Sequence, residues 1–216
     1  MRLRNNPQAY DILKENEGLV INNPLEYKDD INKIFGNNNP IYIEVGMGKG
    51  DFIYENALKY PNINFIGIEK YSSVLAAAIN KMKNRNNEIP TNLRIIHFDA
   101  ITLKDLFSKN SIDKIYLNFS DPWPKTRHAK RRLTSKNFLD IYREILKEGE
   151  KIEFKTDNRG LFEYSLLSIN EYPMNLENVS LDLHNSEENE DNIQTEYERK
   201  FSKNGPIYKM IISYPK

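Results

Sequence analysis

The chain has no cysteine. Disulfides, thiolate metal sites and a cysteine nucleophile are therefore excluded. It has only three histidines, His97, His128 and His184, too far apart in sequence to suggest a metal cluster. No apolar run approaches the roughly 20 residues needed to span a bilayer. The N-terminus, Met1-Arg2-Leu3-Arg4, carries no signal-peptide core. A cytoplasmic protein with no membrane partner is expected. There is also no excess of either charge: Lys+Arg and Asp+Glu are both 31 in 216 residues. Any nucleic-acid site must then be a local patch rather than a global field. The length is that of one domain with a real core.

What is present is an alternation of strands and helices. Residues 1–40 read as a polar, partly flexible N-terminal extension with one short helix over Leu25–Phe35. Residues 41–216 read as a single domain. Ile41–Val45 reads as a buried strand and Asp51–Lys59 as a helix. Asn64–Ile68 is a second strand, followed by a helix through Val74, Ala78 and Met82 with Ser72 as its N-cap. Leu93–Phe98 and Ile112–Phe119 are the third and fourth strands. Phe138, Ile141 and Ile145 mark a helix that Gly149 stops. Lys151–Lys155 is the fifth strand and Leu161–Glu171 a further helix. Leu176–Leu183 and Ile207–Tyr214 read as an antiparallel C-terminal hairpin with a long polar loop. The pattern predicts an α/β fold: a mostly parallel, seven-stranded sheet with helices on both faces.

The first strand runs into Glu44-Val45-Gly46-Met47-Gly48-Lys49-Gly50, a glycine loop opening onto a helix N-terminus. Gly46, Gly48 and Gly50 permit a sharp turn and close ligand approach. The G-x-G-x-G spacing differs from the dinucleotide fingerprint, and Lys49 does not complete a phosphate loop. Glu69 ends the second strand, where an acid can accept both ribose hydroxyls. Asp99 ends the third, as a contact to an adenine edge or as a turn cap. Together these suggest an adenosine without a pyrophosphate. S-adenosylmethionine fits, with Glu44 helping to hold its charged methionine end.

The fourth strand delivers Asn118-Phe119-Ser120-Asp121-Pro122-Trp123-Pro124-Lys125 to the same edge. Prolines stiffen that turn. Asp121 falls where the sulfonium should lie. Trp123 either stacks on a base or packs under the loop. Lys125, Arg127, His128, Lys130, Arg131, Arg132 and Lys136 follow with no acid among Pro122–Lys136, so the stretch can neutralise several phosphates. Arg2 and Arg4 read as a second cationic arm or a disordered tail. Lys155-Thr156-Asp157-Asn158 follows the fifth strand. Thr195-Glu196-Tyr197-Glu198-Arg199-Lys200-Phe201 lies in the hairpin loop, and its role is ambiguous by chemistry alone. The acidic run Glu187–Asp191 reads as a solvated loop.

With these residues in view, the chain resembles the bacterial tRNA (guanine-N7-)-methyltransferase family over nearly its whole length. The resemblance rests on the Arg4–Ala9 segment, the Glu44–Gly50 loop, Asn118–Lys125, His128–Arg132, Phe154–Asp157 and Thr195–Phe201. It implies a Rossmann-like class I methyltransferase fold and S-adenosylmethionine as cofactor. It implies cofactor contacts at Glu44, Glu69, Asp99 and Asp121, with Asp121 catalytic. It implies guanine or tRNA contacts at Lys125, Asp157 and Thr195, Glu196, Tyr197 and Glu198. RNA contact along Arg127, His128, Lys130, Arg131 and Arg132 is implied too. The partner is tRNA, the assembly a monomer or homodimer, and no metal is required.

The reaction expected is in-line methyl transfer to guanine N7, which has a lone pair and no proton to remove. A carboxylate among Asp121, Asp157 and Glu198 is expected to accept guanine N1–H and N2–H₂. Two other readings compete. An exocyclic-amine nucleic-acid methyltransferase also carries a proline loop after its fourth strand, commonly as Asp/Asn-Pro-Pro-aromatic, against Asp-Pro-Trp-Pro here. A non-catalytic RNA-binding module would not need Glu44, Glu69, Asp99 and Asp121 intact.

Overall fold

The computed structural model describes residues 6–85 and 88–215. Arg2 and Arg4 therefore lie outside the described residues. In chain order the elements are α1 (Ala9–Glu15), β1 (Ile41–Val45), α2 (Asp51–Lys59), β2 (Asn64–Glu69), α3 (Ser72–Lys83) and β3 (Leu93–His97). They continue with α4 (Leu103–Leu106), β4 (Ile112–Asn118), α5 (Lys136–Ile145), β5 (Leu146–Thr156), α6 (Arg159–Glu171), β6 (Asn175–Ser180), α7 (Glu196–Phe201) and β7 (Tyr208–Ser213).

The seven strands form one sheet in the order β3-β2-β1-β4-β5-β7-β6. The first five are parallel, and β7 runs antiparallel between β5 and β6. β2 is buried throughout because helices cover both faces of the parallel part. One face packs Ile43, Ile115 and Phe154 under α5 and α6 through Phe138, Ile141 and Phe162. The other packs Phe65, Ile95 and Tyr116 under α1, α2 and α3 through Leu13, Phe52, Leu75 and Ile79. The chain winds outward from β1 through β2 to β3 on one side, then crosses back to add β4 on the other side of β1. That strand order creates a crevice at the carboxyl edge, the usual ligand position in open parallel sheets.

Three local expectations are corrected. Leu25–Phe35 is not one helix but two single 3-10 turns, Pro24–Tyr27 and Ile31–Ile34. Ile31 and Ile34 pin the second turn into the core, and so short a segment has too few bonds to propagate an α-helix. Ahead of both, α1 docks on the domain with Ala9 and Leu13 buried. The N-cap of α3 is Tyr71, not Ser72, and its N–H is taken by Glu69 Oε1 at 3.1 Å. Gly149 does not stop α5. The helix passes directly into β5 at Leu146, and Gly149, at φ 78°, serves the register shift between β4 and β5.

The glycine loop is anchored from below by Met47, which is 5 % exposed. Met47 fills the space that Gly67 of β2 leaves open: a Cβ on Gly67 would meet Met47 Sδ at 2.2 Å. Gly67→Ala should therefore destabilise the protein by roughly 1–3 kcal/mol, the scale of overpacking. Met47→Ala in the same chain should recover part of that loss, because the two sites share one space. Denaturant unfolding of both singles and the double checks this, and strictly additive losses would show that the contact does not limit the loop.

Candidate functional site

Each of the five parallel strands brings an acid to the carboxyl edge. In spatial order these are Asp99 after β3, Glu69 ending β2, Glu44 in β1, Asp121 after β4 and Asp157 after β5. Gly46, Gly48 and Gly50 all have positive φ, at 78°, 56° and 74°. The loop they shape turns back over β2, where Gly46 and Met47 both donate to Ile68 O at 2.8 and 3.0 Å. A Cβ at Gly46 or Gly48 would meet nothing, so these two positions face open space.

Glu69 is nearly enclosed and accepts from Gly48 N and Tyr71 N, each at 3.1 Å. Burial raises its pKa; these backbone donors oppose the rise, and the charge of Asp121 adds to it. Asp99 is tied differently. It caps the turn that follows β3 by accepting from Ile101 N at 3.2 Å, and it pairs with Lys70 at 2.6 Å.

Glu44 is the most perturbed of the five. Asn118 Nδ2 donates to its Oε1 at 2.9 Å. Its Oε2 is buried without a partner, as are Asn118 Oδ1 and Ser120 Oγ nearby in the chain. The two orphaned oxygens of the Glu44–Asn118 pair, on adjacent strands β1 and β4, are acceptors of the kind that suits a cation. Burial pushes the Glu44 carboxyl up to about 8, against the bond from Asn118 and the charge of Lys155 on β5. Glu69 on β2 and Asp51 on α2 push it in the same direction as burial.

The loop after β4 is strained. Phe119 and Trp123 have φ 48° and 42°, a left-handed conformation unusual for large side chains. Phe119 N donates to Lys155 O at 2.8 Å. Asp121 is exposed. Trp123 is half-buried, with the Arg131 guanidinium 4.8 Å from its ring and the His128 ring edge-on at 5.7 Å. Arg132 donates to Pro122 O and Trp123 O, both at 3.0 Å. Lys125, Arg127, Lys130 and Arg131 are exposed.

The hairpin loop folds back over this edge. Thr195 and Glu198 form a capping box that starts α7. Tyr197 OH donates to Asp157 Oδ2 at 2.9 Å, and its ring lies 5.3 Å from that of Phe119. Glu196 pairs with Lys49 at 2.8 Å, Lys81 at 2.5 Å and Lys200; these cations hold its carboxyl well below the usual range. Glu198 is 0 % exposed and pairs with the equally buried Lys155 at 2.9 Å. The other two Lys155 protons go to Asn192 Oδ1 and Ile193 O. His184 and Asn192 hold the second Glu198 oxygen. The structure thus separates the three carboxylates expected near guanine: Asp121 and Asp157 face solvent, whereas Glu198 is consumed by internal contacts.

The sequence places Asn118, Lys155 and Arg132 in its motifs but carries no signal for these internal partners. A lysine in a buried strand position just before Asp157 is the nearest to one. A cavity of about 320 Å³ lies away from this edge, against Tyr42, Phe52, Tyr116 and Glu153. Two of its lysines are internally paired, Lys114 with Glu153 and Lys209 with Glu188. Among the described residues no group of His, Asp and Glu could hold a metal ion, and no helix is long and apolar enough to cross a membrane.

Solved structures share this architecture. An antibiotic-related methyltransferase superposes with a TM-score of 0.61 at 20 % identity, covering 85 % of this chain and 91 % of that one. A 16S rRNA (adenine(1408)-N(1))-methyltransferase from Catenulisporales acidiphilia, solved with its cosubstrate SAM, gives 0.59 at 16 % identity, covering 89 % and 92 %. The fold is that of class I methyltransferases. A family described as "Putative methyltransferase" matches residues 38–210. The tRNA (guanine-N(7)-)-methyltransferase of Bacillus subtilis (strain 168) is 52 % identical over 215 residues, 99 % of each chain. That of Lysinibacillus sphaericus (strain C3-41) is 52 % identical over 211 residues, 97 % of this chain and 96 % of its own. The chain belongs to the bacterial tRNA (guanine-N7-)-methyltransferase family.

The Glu44 shift sets a pH dependence. Its folded pKa of about 8 lies above the ordinary 4.5. Between those values the folded protein holds a proton that the unfolded chain has lost, so this group's contribution to stability declines as pH rises through the window. Glu44→Gln should remove that decline. Denaturant unfolding at pH 5, 6, 7 and 8 checks it: the wild-type minus mutant difference should fall steadily with pH, and a flat difference would show that Glu44 does not titrate there.

Proposed function

We infer that the protein transfers a methyl group from S-adenosylmethionine to N7 of a guanine in tRNA. The observation that carries the reading is the half-satisfied Glu44 carboxylate at the glycine-loop edge, beside the loop that presents Asp121. Membership of the family, and relatives named as tRNA (guanine-N(7)-)-methyltransferases, support the substrate.

The residues fit the cofactor chemically. Glu44 Oε2 and Asn118 Oδ1 are acceptors without partners, as an α-ammonium requires. Glu69 keeps lone pairs beyond its two backbone donors for the ribose hydroxyls. Gly46, Gly48 and Gly50 let the ligand approach the loop, and Asp99 faces the adenine end. When bound, the cofactor supplies an electrophilic methyl group on a sulfonium.

Asp121 supplies a fixed negative charge beside the path along which positive charge moves from sulfur to the base. It stabilises that charge electrostatically. Guanine N7 carries no proton, so no residue serves as general base, and the remaining work is positioning. Asp157, exposed with one oxygen held by Tyr197, is the carboxylate that reads guanine N1–H and N2–H₂. Thr195 and Glu196 set the place of Tyr197, and Glu198 supports them from inside. Lys125, Arg127, His128, Lys130 and Arg131 face the RNA.

Mass spectrometry of nucleosides from treated tRNA tests the product: 7-methylguanosine is expected, and an exocyclic N-methyl base would contradict the reading. Asp121→Asn keeps the shape and removes the charge. It should slow single-turnover methylation by roughly two to three decades, the scale of one lost electrostatic contact. An unchanged rate would take Asp121 away from the reacting atoms. Arg127→Ala with Lys130→Ala should flatten the log–log salt dependence of tRNA binding by roughly one unit per lost phosphate contact. An unaltered slope would make them a solvated surface.

A further inference from the structure

We propose that Arg132 is a positioning residue that clamps the Asp121–Pro124 loop in its working conformation, not an RNA contact. The proposal rests on the reading of Asp121 given above. Pro122 and Pro124 have no N–H, so the loop cannot hold itself with a backbone ladder. Trp123 between them sits at φ 42°, a conformation that a bulky residue keeps only when its surroundings enforce it. Among the described residues, the only hydrogen bonds to Asp121–Pro124 come from Arg132: Nε to Pro122 O and an Nη to Trp123 O, each at 3.0 Å. The two carbonyls lie on either side of the strained residue, one in the peptide that enters it and one in the peptide that leaves it. The guanidinium also lies 4.1 Å from the centre of the Tyr164 ring on α6. One edge of the fork thus grips the loop while its face rests on a helix packed into the core. Arg127, Lys130 and Arg131 are exposed, whereas Arg132 is half-buried.

A planar fork and a stacking face are properties that lysine lacks, while its charge serves a phosphate equally well as a point charge. Arg132→Lys therefore separates the two roles. Trp123 is the only tryptophan in the chain, so its fluorescence reports on this loop alone. In Arg132→Lys, the emission should shift to the red and acrylamide quenching should rise, with or without RNA. The single-turnover rate at saturating tRNA should fall roughly tenfold to a hundredfold, the cost of small misplacement. The salt slope of tRNA binding should stay as in the wild type. Arg127→Ala should do the reverse, lowering the slope and leaving the fluorescence alone. Tyr164→Leu removes the stacking face and keeps every donor; it should move the fluorescence in the same direction and supplies the second test should Arg132→Lys fold poorly. The proposal is overturned if Arg132→Lys and Tyr164→Leu keep the wild-type fluorescence, or if Arg132→Lys keeps the wild-type rate while Arg132→Ala flattens the salt slope by about one unit. A wild-type enzyme that made no 7-methylguanosine would count against the function and leave the fluorescence test of the clamp intact.

Discussion

Glu44 is a buried carboxyl with one oxygen bonded to Asn118 and the other without a partner among the described residues. Burial opposes its ionisation, and Lys155 is too fully engaged by Glu198, Asn192 and Ile193 to neutralise it. Such a group is costly in an empty site and favourable against a cation. The strands around it are arranged accordingly. Parallel β1 and β4 are neighbours, so Glu44 and Asn118 meet at the edge where the ligand crevice opens.

The second constraint is the return of the hairpin loop over that edge. Several of its polar residues are tied to the body of the domain. The buried Lys155–Glu198 pair fastens the loop to β5, and the Glu196 contacts to Lys49 and Lys81 fasten α7 to the glycine loop and α3. Removing one partner of the buried pair would strand a charge, so the pair fixes where Tyr197 and Asp157 meet. The glycine-loop edge and the Asp157 edge are therefore held by one short helix.

Much of this was legible in the sequence. The apolar run Ile41–Val45 followed by three glycines gave β1, the loop and the start of α2 as the structure has them. The seven strands and the closing hairpin followed from alternation. Other parts depend on contacts distant in sequence. Glu198 reads as a candidate for guanine because nothing nearby in the chain announces Lys155 as its partner. The Thr-x-x-Glu spacing of Thr195 and Glu198 was nonetheless a capping-box signal, and it accounts for the helix inside a loop that reads as irregular. Gly149 reads locally as a helix stop because propensity cannot distinguish a stop from a bulge in the next strand. Arg132 sits in a run of cations that looks uniform until the loop conformation singles it out.

On the proposed function, Glu44 becomes ionised against the ammonium of the cofactor. Calorimetry of S-adenosylmethionine binding at pH 7 in buffers of different ionisation enthalpy measures this directly. With the free carboxyl at about 8, binding should release close to one proton, and Glu44→Gln should release none. Wild-type binding with no proton release would contradict it.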